Sequence, residues 1–242
     1  RNMVKPHLRS ETSMATALLG ESDTMAQLLL GRPGKANQKT SDKVPPSSDP
    51  KWVATYRDHL VMAQRDDGSW EPVGQLPKQK RPLRETEEVT TMWTLLSLKD
   101  GGLTEPQMAR VFGKARGFLA AATTAQSTAW WAVRLMIERE FGVPEKAAAF
   151  HQELLALQHA DGGWGWLKRD SSDALGTGIA LYALAREGLS LDDGPVQAAI
   201  EFLAETQRSD GTWDVRGTKT ADRDSVVDTA SYWGTTWATI GL

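Results

Sequence analysis

Apolar residues recur at spacings near i, i+3, i+4 through most of the chain after residue 50. This period predicts helices over 52–64, 89–98, 106–122, 127–141, 144–158, 173–186, 195–207 and 226–242. Pro106, Pro144 and Pro195 fall where the first helical turn tolerates proline, because the N–H that proline lacks has no partner there. No run alternates apolar and polar residues between tight turns, so strands are not expected. The pattern predicts an all-α fold.

The polar stretches divide the chain. Residues 1–31 include a further apolar helical pattern over 11–30. Residues 32–50 are rich in Pro, Ser, Lys and Asp and read as a flexible linker. Residues 51–242 then form the main domain. Within it, Pro77–Glu88 carries Lys78, Lys80, Arg81, Arg84, Glu85, Glu87 and Glu88 and reads as a solvated loop.

One motif repeats. Gln64–Trp70, Gln158–Trp164 and Gln207–Trp213 all read QxxDGxW. The tryptophans are 94 residues apart from Trp70 to Trp164 and 49 apart from Trp164 to Trp213. The larger gap is close to twice the smaller. One repeat that has lost its motif is therefore expected around helix 106–122. Asp-Gly after a helix is a stop signal, since glycine adopts the left-handed C′ conformation at little cost. The glutamine can bond orphan carbonyls, and the tryptophan offers a large apolar face with one N–H donor. These residues are expected to join repeats rather than to catalyse.

A second element alternates with the first. Thr90–Trp93, Ser127–Trp130, Ser172–Leu175 and Val227–Ala230 each open an apolar helix, and Thr12–Thr16 resembles them. The layout is an alternation of two helix types.

Composition narrows the chemistry. Lys plus Arg is 28 and Asp plus Glu is 31, a net charge of −3, which gives no electrostatic reason to expect a nucleic-acid partner. Cysteine is absent, which removes disulfides, thiolate metal sites and a cysteine nucleophile. The four histidines form no HxxxH or HxH pair, so no metal and no cofactor are expected. No apolar run reaches the length of a membrane span, and the N-terminus has no signal-peptide h-region. Tryptophan is the oddity: 10 residues, against 5 Phe and 3 Tyr.

The repeated QxxDGxW pattern resembles the QW motif of the terpenoid cyclases, above all squalene-hopene cyclase. The related prenyltransferase β-subunits share the architecture. The resemblance covers about residues 50–242. It implies an α/α toroid of helix hairpins, with Thr/Ser-led inner helices around an apolar cavity and outer helices carrying the motifs. Four outer helices fall short of the family's usual ring. The resemblance therefore implies an open ring, closure with a second copy, or further domains of a longer polypeptide.

Class II cyclases of this family protonate their substrate with DxDD followed by Thr-Ala. The corresponding stretch here is Ser225-Val226-Val227-Asp228-Thr229-Ala230, in which only Asp228 matches and Val227 replaces the proton donor. Asp224 reaches the motif only with a change of register. The metal-binding DDxxD of class I chemistry is absent, because Asp192-Asp193 is followed by Gly194-Pro195.

The acid candidates are thus Asp228, Asp224 and Asp173. Asp173 and Asp228 start equivalent inner helices, where an N-cap role competes with an acid at a cavity mouth. Glu87 and Glu88 could line the same rim. The candidate ligand-facing residues are Trp93, Trp130, Trp131, Tyr182, Tyr232, Trp233 and Trp237, for which core packing competes with cavity lining. The leading functional expectation is a squalene-cyclase-like domain without its acid, holding a lipid, terpenoid or peptide in an apolar cavity or groove. Two enzymatic alternatives stand beside it: an isoprenoid cyclase or transferase, and a carbohydrate-active α/α-toroid enzyme.

Overall fold

In a computed structural model, the described residues are 51–74, 76–100, 102–120, 125–222 and 225–242. The expected helix at 11–30, the linker 32–50 and Asp224 lie outside them. Eight α-helices are present among the described residues: α1 Lys51–Met62, α2 Leu83–Asp100, α3 Glu105–Ala120, α4 Thr128–Phe141, α5 Pro144–Ala156, α6 Ala174–Arg186, α7 Gly194–Thr206 and α8 Asp228–Gly241. Extended pairing among these residues is limited to isolated bridges such as Ser127–Leu167 and Gln79–Lys219. The boundaries follow the sequence pattern except at α2, which starts six residues early, inside the stretch read as a loop. None of these helices is long and apolar enough to cross a membrane.

The chain forms two compact units. One runs up to Pro77 and resumes over Thr90–Ala122; the other comprises Lys78–Val89 and Thr123–Leu242. In the first, the turn after α1 bonds Thr91 of α2 and Val111 of α3. Helix α3 is the outer helix expected without a motif. In the second, α4 packs on α6 and α6 on α8, while α5 lies on α4 and α7 on α6. Helix α6 is buried along most of its length, as an inner helix must be, whereas α7 buries one stripe of Val196, Ala199, Phe202 and Leu203. The α6–α8 crossing is close. A Cβ on Gly178 would overlap the Trp237 backbone, so only glycine permits that approach.

The QxxDGxW motif is one clasp built three times. The indole N–H of Trp70, Trp164 and Trp213 donates to the carbonyl ten residues earlier: Leu60 at 2.7 Å, Leu154 at 2.8 Å and Leu203 at 2.8 Å. The backbone N–H of each tryptophan donates to an inner-helix threonine, namely Thr91, Thr177 and Thr235. Asp67, Asp161 and Asp210 each close the turn by accepting the N–H two residues on. Each glycine has φ of 83–89°, the left-handed region. The first two glutamines reach further. Gln64 Nε2 bonds Gly68 O and Val111 O of α3, and Gln158 Nε2 bonds Gly162 O and Pro195 O of α7. The clasp thus ties an outer helix to its own inner helix and to the next outer helix. In the third copy Gln207 bonds Gly211 O and is exposed.

This asymmetry sets a stability test. Alanine at Gly211 meets only left-handed strain, about 1 kcal/mol. Alanine at Gly162 meets the same strain and also overlaps the Ala198 carbonyl of α7. Gly162→Ala is expected to cost at least about 2 kcal/mol more than Gly211→Ala in urea unfolding. Equal losses would show that the clasp does not set the α5–α7 distance.

Candidate functional site

The polar residues that start the inner helices collect at one end of the second unit. Burying charge there requires partners, and each buried acid has them. Glu85, in the first turn of α2, is 4% exposed. Its carboxylate accepts from Gln126 N at 2.9 Å, Ser127 N at 2.8 Å and Ser127 Oγ at 2.5 Å. These are donors just ahead of α4. Glu88, 1% exposed, accepts from the Trp130 indole at 2.7 Å and from Arg84 at 2.9 Å. Arg81 is buried as well. It donates to Thr86 Oγ1 and Ser127 Oγ, and its guanidinium lies 5.4 Å from the Trp166 ring centre. Lys80 pairs with Asp170 and sits over the other side of the same cluster, 5.7 Å from Trp166.

These contacts correct the reading of Pro77–Glu88 as a solvated loop. A dense run of mixed charge looks solvated when its partners are unknown. Here the partners are backbone N–H groups and indoles more than 40 residues away. The sequence singled out Glu88 as a rim residue but gave no sign of Glu85, Arg81 or Trp166 as its neighbours. The one available signal was the placement of two glutamates one helical turn apart at a helix start, where the dipole favours acids.

Asp173 is the N-cap of α6. Its Oδ1 accepts from Gly176 N and its Oδ2 from Trp166 N, both at 2.8 Å. Burial raises its pKa to about 6, opposed by the N–H groups of Gly176, Trp166 and Leu175 and by Lys80. Asp228, at the start of α8, is exposed, and Val227 before it provides no side-chain cap. The acid candidates are therefore in unlike surroundings: Asp173 is half-buried with both oxygens bonded, Asp228 faces water, and Asp224 is outside the described residues.

The aromatic candidates also separate. Trp93 is in the core of the first unit. In the second unit Trp130 is buried, edge-on to Trp131 at 5.1 Å, and Arg134 lies 5.8 Å from its ring centre. Tyr182 and Trp237 form a T-shaped pair at 5.6 Å across α6 and α8. Tyr232 (68% exposed) and Trp233 (37%) form another at 6.0 Å on α8. The structure thus brings Tyr182 and Trp237 together and leaves Trp93 and Trp130 as packing residues. No three His, Asp or Glu side chains among the described residues are placed to hold a metal ion.

The Asp173 shift has a measurable sign. Between pH 4 and 6 the folded chain keeps a proton that the unfolded chain has released, so this group's contribution to stability falls as pH rises through that window. Asparagine also caps helices well, so Asp173→Asn should fold. The stability of the parent minus that of Asp173→Asn is expected to drop by on the order of 1–2 kcal/mol from pH 4 to 6, and to be flat above 7. A difference that rises with pH would mean the carboxylate is held ionised.

Comparison with known proteins supports the fold. No family model matches the chain. A stretch of 75 residues, 31% of this chain, is 36% identical to drimenyl diphosphate synthase from Streptomyces showdoensis, of which it spans 14%. Among solved structures, the unsaturated glucuronyl hydrolase of Bacillus sp. GL1, responsible for the degradation of glycosaminoglycan, aligns over 98% of this chain and 78% of its own. The TM-score is 0.52 at 14% identity. A second solved chain, described with the saccharide dGlcA-Glc-Rha-Glc, aligns over the same shares with a TM-score of 0.50 at 14% identity. The fold is all-α, of the α/α-toroid class.

Proposed function

We propose that the chain is a terpenoid-cyclase-like α/α-toroid domain that binds an apolar ligand without protonating it. One observation carries this reading: the position where class II cyclases hold their proton donor is Val227, and the adjacent Asp228 is open to water. A carboxylic acid that protonates an alkene has to be kept neutral by an enclosed, apolar setting. Asp228 has no such setting. Asp173 is half-buried, but both its oxygens are occupied by the backbone of its own cap and loop. The 75-residue match to drimenyl diphosphate synthase supports the isoprenoid direction. The aromatic pairs Tyr182–Trp237 and Tyr232–Trp233 supply the apolar surface.

A second reading, a carbohydrate-active enzyme, is favoured by Asp173 itself. A half-buried carboxyl whose pKa burial raises to about 6 suits general acid catalysis of glycoside cleavage, and the glucuronyl hydrolase has the same fold class.

Substrate trials separate the readings. Incubation with squalene or farnesyl diphosphate, followed by mass spectrometry, is expected to give no new product, while squalene quenches tryptophan fluorescence in the parent and less in Trp233→Ala. A cyclised product lost in Asp228→Asn would overturn the binding reading. Release of sugar from an unsaturated glucuronyl disaccharide, lost in Asp173→Asn, would establish the second reading instead.

A further inference from the structure

We infer that the second unit has an oxyanion subsite centred on Lys168 and Arg169, suited to a phosphate or a sugar carboxylate. A cleft of about 270 Å³ opens between the segment ahead of α4 and the loop ahead of α6, lined by Ala125, Gln126, Leu167, Lys168 and Arg169. Backbone bonds join its two walls. Lys168 N donates to Gln126 O at 2.9 Å, Thr128 N donates to Trp166 O at 3.1 Å, and Ser127 and Leu167 form a bridge. The cleft is smaller than the roughly 300–1,000 Å³ of sites that enclose a whole drug-sized ligand, so its size fits a charged group of a larger molecule.

The charge around it is unbalanced. Lys168 and Arg169 are exposed, and neither side chain makes an ion pair or hydrogen bond among the described residues. The acids within reach are committed elsewhere: Asp170 to Lys80, and Glu85 to the backbone of Gln126 and Ser127. Lys80 and Arg81 lie against Trp166, where Lys80 is balanced by Asp170 and Arg81 adds a positive charge. The extended pairing of Gln79 with Lys219 brings Lys78 and Lys219 to the same end of the unit, with Asp222 beside Lys219. In a chain with a net charge of −3, this local excess of cations stands out. Arginine offers a planar fork of donors and lysine a point charge, a pairing that holds phosphate and carboxylate oxygens well. The subsite does not depend on the aromatic face of α8, so its failure and the failure of the apolar-ligand reading are separate events.

Calorimetric titration of the full chain tests it, with inorganic pyrophosphate and D-glucuronate as probes. At least one probe is expected to bind, more weakly as salt rises. In Lys168→Gln/Arg169→Gln the affinity is expected to fall about 10-fold or more, with the melting temperature unchanged because both side chains are exposed. Lys146→Gln, an exposed charge change on α5, is expected to bind as the parent does. Pyrophosphate alone binding identifies a phosphorylated ligand, and glucuronate alone a sugar acid; both binding supports a general oxyanion subsite. Binding of neither probe, or equal binding by the double variant, overturns the proposal.

Discussion

The indole N–H of the motif tryptophan and the carbonyl ten residues before it form the bond on which the rest of the structure depends. It closes the end of an outer helix over its own turn and buries the indole at 0–3% exposure in all three copies. A buried indole N–H with no acceptor would be costly, and in the three motif copies this bond removes that cost. The tryptophan N–H then binds an inner-helix threonine, and in the first two copies the glutamine binds the next outer helix. Four residue types spaced over seven positions therefore fix the distance between layers and between neighbours.

The inner-helix starts follow from that framework. Once the layers are fixed, the N-termini of the inner helices of the second unit gather at one end, and their orphan N–H groups need acceptors. Glu85 serves the start of α4, and Asp173 serves α6 and the loop before it. Carboxylates used in this way stabilise the rim, and the same bonds leave them poorly disposed to move a proton. The tension between cap and acid at Asp173 is why two functional readings meet at one residue.

Much of the fold was legible in the sequence. The helical period, the triple motif and the proline positions gave eight helices whose ends match to within two residues at most boundaries, α2 excepted. The structural role expected of the motif Gln and Trp residues agrees with the bonds they make. The candidate site was less legible. Trp93, Trp130, Tyr232 and Trp233 share a residue class and a helix type, yet two are in cores and two face outward. Periodicity places a side chain on a helix but does not say which neighbour covers it. Lys168 and Arg169 follow the second motif closely and carried no pattern of their own.

By itself, then, the sequence determined what depends on local chemistry: the helix stops at Asp-Gly and the cap that Asp173 places at the start of α6. These rest on residues within a turn of one another, where spacing along the chain is spacing in space. Only the tertiary structure decided which charges are buried and which are free. Glu85 and Arg81 were drawn into a network with partners more than 40 positions away, while Lys168 and Arg169 were left without a counter-charge among the described residues. The energy of a charge is set by its surroundings rather than by its neighbours in sequence, and those surroundings exist only after the layers have packed.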